Sequence, residues 1–156
     1  MSNYAQWAAS LDKAFQEKVV QRFVQKHRTI ALQAMKEVTT DSRTVGFAHG
    51  SPVWTGRFKG SHKINVNVPD TGVLPPHPET FEGLRWPDDP AAPYPSPALS
   101  EASIKLTALK PFEKVVISNH LPYARRIETG YSPKTPEGVY GITAERLYKK
   151  YAYTRL

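Results

Sequence analysis

The stretch from Pro69 to Ala98 constrains this chain more than any other. Nine of the 14 prolines fall there, and each proline removes a backbone donor and fixes φ. Neither a regular helix nor a central strand can run through PDTGVLPPHPETFEGLRWPDDPAAPYPSPA, so residues 69–98 read as a long loop, extended where prolines cluster. The stretch still carries Leu74, Phe81, Leu84, Trp86 and Tyr94, apolar groups that a solvated spacer lacks. A loop this long inside a compact domain is either functional or disordered. Its apolar content favours an arm that packs on something.

The arm also concentrates acid. The chain has a formal charge of +7, with 21 Lys and Arg against 14 Asp and Glu. Residues 69–98 contribute −4, so the remainder stands at +11. A basic body suits nucleic-acid or acidic-protein partners without choosing between them. At 156 residues and 40% hydrophobic content, residues 1–156 make one domain with enough apolar surface for a core. The lack of cysteine excludes disulfides, thiolate zinc sites and cysteine nucleophiles. No stretch approaches the roughly 18 apolar residues of a membrane helix, and MSNYAQWAASLDKAF lacks the pattern of a signal peptide. The expectation is a soluble, cytoplasmic domain with no membrane partner.

Before the arm, residues 1–38 predict one long helix, from Asn3 to Val38. Trp7, Leu11, Phe15, Val19 and Phe23 recur every four residues, with Ile30 and Ala34 near the same face. No glycine or proline interrupts it, Asn3 can cap its start, and Thr39-Thr40-Asp41 supplies a stop. At 1.5 Å per residue it would be about 54 Å long, longer than a domain this size needs. Part of its apolar stripe is therefore expected to face another subunit; a helix broken near His27 is the alternative. From Gly56 the pattern turns to period two through Phe58, His62, Ile64, Val66 and Val68, which predicts a half-buried strand of about ten residues. After the arm, Ser100–Leu109 reads as a short helix, Phe112–Ser118 as a buried strand, Pro122–Thr129 as a helical turn and Tyr140–Tyr151 as a closing helix. The fold class is α+β: the long N-terminal helix, a small and mostly antiparallel sheet, two short helices packed on it, and the inserted arm.

Catalytic patterns do not emerge. Histidines at positions 27, 49, 62, 77 and 120 show no metal-ligand spacing. Gly46, Gly50 and Gly56 do not make a phosphate loop, and there is no nucleophile elbow. His27 and His62 read as structural or solvated. The expectation is no enzyme, no metal and no cofactor. The cations Lys13, Lys18, Arg22, Lys26, Arg28 and Lys36 of the long helix leave direct DNA binding as an alternative, although no known readout motif accompanies them.

Two segments have unusual local logic. SPVWTGRFKGSHKINV begins with a proline turn and feeds through Thr-Gly-Arg toward the strand, Gly56 permitting a sharp entry. In ISNHLPYARRIETGYSPKTPEGVYGIT, Tyr123, Ile127 and Glu128 stand on a short turn, and Gly130–Gly138 reads as an exposed loop fit for docking. These segments resemble two elements of the tail-completion, or neck, proteins of long-tailed bacteriophages. SPVWTGRFKGSHKINV is similar to their P-V-D-T-G-R-x-R-x-S element. ISNHLPYARRIETGYSPKTPEGVYGIT is similar to their I-x-N-x-x-P-Y-A-x-x-x-E-x-G-x-S-x-x-x-P-x-G element, which is the more specific of the two. The resemblance covers roughly residues 45 to 147. It falls on Thr55, Gly56, Arg57, Ser61, Asn119, Pro122, Tyr123, Ala124, Glu128, Gly130, Ser132, Pro136 and Gly138. Trp54 departs from it, standing where the family usually has an acidic residue.

The resemblance implies a structural virion protein that joins the DNA-filled head to the tail. Its partners would be copies of itself in a ring, six preferred and twelve the alternative, and the head-closure connector and tail-terminator proteins beside it, with DNA only as passing cargo. A tail terminator is the alternative within the same class. Ring contacts are heterologous, so Glu79, Glu82, Asp88 and Asp89 of one arm are expected to lie against the basic surface of the next copy.

Overall fold

The computed structural model describes residues 3–52, 56–73 and 99–153. Thr55 and Trp54, and the arm acids Glu79, Glu82, Asp88 and Asp89, lie outside the described residues. The fold is α+β. A helix runs from Asn3 to Val38 as three consecutive pieces: α1 (Asn3–Phe15), a π turn (Gln16–Val20) and α2 (Gln21–Val38). A 3-10 turn (Ser42–Val45) and the short α3 (Arg57–Gly60) lead to β1 (Lys63–Val66). Then come α4 (Leu99–Thr107), β2 (Val115–Ser118), α5 (Ala124–Glu128) and α6 (Tyr140–Tyr151). The sheet is a two-stranded antiparallel pair in which Lys63 faces Ser118 and Val66 faces Val115.

The unbroken helix over 3–38 agrees with the sequence, and the alternative break near His27 does not occur. Its stop is the threonine pair: Thr39 Oγ1 donates to the Met35 carbonyl at 2.7 Å and Thr40 Oγ1 to that of Lys36 at 2.8 Å. These hydroxyls satisfy the orphan carbonyls of the last turn. Only the second half of the helix builds the core. Ala31, Met35 and Val38 of α2 pack with Phe58, Ile64, Ala102, Leu106, Leu109, Leu121 and Val139. α2 lies between α4 and α6, and α4 in turn covers β1. Polar ties fix these crossings. Arg28 Nη2 donates to the Thr107 carbonyl at 2.7 Å, a cation on the C-terminal end of α4. Arg146 Nε donates to the buried Glu37 carboxylate at 3.0 Å, joining α6 to α2.

Two strand expectations need correction. The ten-residue strand from Gly56 is only β1; its first part is the helical turn α3. Gly56 sits at φ 80, and its carbonyl accepts from Gly60 N at 2.7 Å, which closes a helical turn where an alternating pattern had read as extended. The buried strand from Phe112 is also shorter, and β2 is half-buried throughout. Phe112 is 87% exposed at φ 65. The turn before β2 is held instead by Glu113, whose carboxylate accepts from Lys110 N at 2.7 Å.

Candidate assembly surface

The two segments singled out in the sequence meet in space. Asn119 Nδ2 donates to the Phe58 carbonyl at 2.8 Å while its Oδ1 accepts from Leu121 N, so one side chain links α3 to the turn before α5. The Tyr123 ring lies 6.4 Å from that of Phe58. Ala124 N donates to the Leu121 carbonyl and starts α5, just after the exposed Pro122. Ser61 is fully buried, and Arg57 opens α3. Glu128 then performs a task its position in the sequence did not advertise. Its carboxylate accepts from Val139 N and Tyr140 N, each at 2.9 Å, and from Gly141 N at 2.8 Å. These are the orphan donors at the N-terminus of α6, where a negative charge is also favoured by the helix dipole.

The loop between Glu128 and α6 is therefore folded back, and only in part exposed. This corrects the expectation of an exposed docking loop. Thr135 and Gly138 are buried, and Ser132 accepts from Thr135 N and Lys134 N. Gly130, at φ 81, passes so close to the Pro136 carbonyl that a Cβ would overlap it. Gly138, at φ 78, leaves only 2.5 Å between an added Cβ and the Glu128 carbonyl oxygen. Both glycines are needed for the left-handed turn and for the close approach. Arg125 and Arg126 do project outward, and Arg126 lies over the exposed Tyr131 ring at 4.1 Å.

Beneath this corner His62 is fully buried, and its protonation pattern follows from its partners. Ser51 Oγ donates to the Val38 carbonyl at 2.5 Å, which leaves its lone pairs to accept from His62 Nε2 at 2.7 Å. His62 Nδ1 then accepts from the Tyr140 hydroxyl at 2.7 Å. A single neutral tautomer satisfies the whole chain, which ties the end of α2 to α6. Serine beside histidine is a nucleophilic pair in other settings, but here the serine proton is committed to a carbonyl and both side chains are shut from solvent. The relay is a clamp.

Burial pulls the His62 pKa down to about 3, against about 6.5 in the unfolded chain. A depressed histidine pKa stabilises the fold fully above pH 6.5, and that stability is lost as pH falls toward 3. The loss should reach about 2 kcal/mol by pH 5. His49, also lowered by burial and then by Arg146, adds in the same direction. Asp41 and Asp70, whose pKa values are lowered, lose their contributions only at lower pH. Urea unfolding at pH 7.5 and pH 5 should show this drop, largely retained in His49→Gln. Equal stability at the two pH values would contradict the buried neutral imidazole.

The most unusual surface is α1. No α1 residue is buried. Trp7, Leu11, Phe15 and Val19 are 44% to 57% exposed, with Tyr4 beyond them. A four-residue step drifts about 40° per repeat in a regular helix, which would spread these side chains around the cylinder. The π turn at Gln16–Val20 is under-wound and turns the row back, so Val19 and the half-buried Phe23 stay near the line of Leu11 and Phe15. Phe23 in turn stacks with Phe112 at 5.5 Å. The apolar row thus continues from the projecting helix onto the aromatic that the body holds out. A second series, Lys18, Arg22 and Lys26, begins level with Val19 and continues past Phe23 at the same spacing. Helices in proteins draw most of their stability from packing an apolar face, and large contiguous apolar patches mark interaction sites.

Among the described residues no cluster of histidine and carboxylate side chains could hold a metal, and no helix is long and apolar enough to cross a membrane. Compared with protein-family models, curated proteins and solved structures, the chain finds no match in any of the three.

Proposed function

We propose that this chain is a structural protein of a phage neck, which assembles with copies of itself into a ring and joins the completed tail to the head. The observation that carries the assembly is the apolar row of α1, continued by Val19 of the π turn: four large side chains left about half exposed over a stretch of helix with no buried residue. A helix that extends beyond its own core with such a row is built to be covered by protein. The virion setting comes from the resemblance of Gly56–Ser61 and Asn119–Gly138 to the neck family. The close packing of these two segments in one corner gives those residue types a structural reason to occur together.

Electron microscopy of particles from a phage lacking this gene tests the reading. Filled heads beside complete, unattached tails are expected. Abnormally long tails would shift the role to tail termination. Intact infectious virions would overturn both, and a basic DNA-binding role would replace them.

A further inference from the structure

We infer that the apolar row of α1 and the cationic row that follows it along the helix receive the acidic arm, residues 74–98, of the adjacent copy. The inference rests on the self-assembly proposed above and assigns its contact. The surface has two series at four-residue spacing: Trp7, Leu11, Phe15 and Val19, and then Lys18, Arg22 and Lys26, which begins level with Val19 and continues toward the body. Over residues 3–26 four cations stand against two carboxylates, Asp12 and Glu17. The arm carries the complementary pair of features. Phe81, Leu84, Trp86 and Tyr94 alternate with Glu79, Glu82, Asp88 and Asp89, against one cation, Arg85. Its prolines keep it from pairing as helix or central strand, and proline-rich segments bind aromatic-lined surfaces in extended form at low entropic cost.

Length limits what the arm's own helix can offer it. Both ends of the arm are rooted together. Asp70 pairs with Lys105 of α4 at 3.2 Å, and Ser118 Oγ donates to the Asp70 carbonyl, while Leu99 opens α4. Leu99 and Leu32 line one groove, so the root lies beside the C-terminal half of α2. Twenty-five extended residues have a contour of about 78 Å, and so an out-and-back reach of about 39 Å. Trp7 lies about 38 Å along the helix from Leu32. An arm folded onto its own α1 touches the near end of the row at Val19, about 20 Å from Leu32, but is drawn taut before Trp7 and cannot lie along the whole row. The row itself spans only about 18 Å, well within reach when a neighbour presents its helix closer. A contact of this kind is head-to-tail, as a ring requires.

The natural chain has no cysteine, so introduced thiols report the contact cleanly in the full-length protein. Leu11→Cys and Leu84→Cys, made separately, distinguished by a size tag and mixed under mild oxidation, should give the mixed disulfide at least five-fold above either symmetric dimer. Glu79→Gln, Glu82→Gln, Asp88→Asn and Asp89→Asn together should lower that yield several-fold at low salt, and added salt should lower it in the unmodified arm. Predominance of the Leu11→Cys symmetric dimer would overturn the inference in favour of helix-on-helix pairing. Closure of the Leu11→Cys/Leu84→Cys double variant within a monomer would overturn it in favour of the arm's own helix. Absence of any cross-link would overturn it outright. Purified protein suffices, so failure here is distinguishable from failure of the neck assignment, which the phage particles report.

Discussion

Leu11→Ser combined with Phe15→Ser is expected to leave the chain folded and to abolish its self-association. Both side chains are more than half exposed and no α1 residue is buried. Their removal should therefore change unfolding stability by no more than about 0.5 kcal/mol each. Central apolar anchors of an interface cost about 2 kcal/mol or more apiece when truncated. The pair should therefore weaken each contact by about 4 kcal/mol, close to a thousand-fold in affinity. Sedimentation of the variant beside the unmodified chain, with urea unfolding of both, separates the two effects. A large loss of stability with the oligomer intact would mean that α1 serves its own domain.

The second large effect belongs to Glu128. Glu128→Ala removes three charge-assisted hydrogen bonds from the start of α6, from Val139, Tyr140 and Gly141. Each such bond contributes on the order of 1.5–3 kcal/mol and the lost cap about 1 kcal/mol, with water recovering part where Gly141 N is reached. A net loss of about 3 kcal/mol is expected by urea unfolding, with Glu128→Gln intermediate. Because Tyr140 both opens α6 and anchors the His62 relay, the damage should extend beyond one helix. Amide exchange should then speed up through Ser51 and His62 as well as α6. A loss confined to α6, or none, would contradict the coupling.

Local chemistry made most of the elements legible. The helix over 3–38 followed from period and from the absence of helix breakers, and α6 from its apolar spacing and terminal cations. Gly130 marked the end of α5 because only a left-handed residue closes that turn. The longest misreading, the strand expected from Gly56, has a local cause. Phe58, Lys59 and His62 mimic an alternating strand, but the left-handed Gly56 commits the next residues to a helical turn. Neither the Ser51–His62–Tyr140 relay nor the Glu128 cap has a local signature. Their members lie 11 and 78 residues apart in the first case and up to 13 apart in the second. Val139, at the usual capping position, offers no side-chain acceptor at all. In the sequence Glu128 stands on its short turn and is matched by the family resemblance, without a role; its place in the fold supplies a physical reason for a carboxylate there. The exposed row of α1 was legible as excess length, whereas its straightening by a π turn was not.

The most direct test of self-assembly through α1 is the native mass of the purified, unmodified chain, measured across a range of concentration and salt. A single closed species of fixed copy number, six as the resemblance implies or twelve as the alternative, is the predicted result. A monomer at every concentration, with the apolar row of α1 open to solvent, would contradict it.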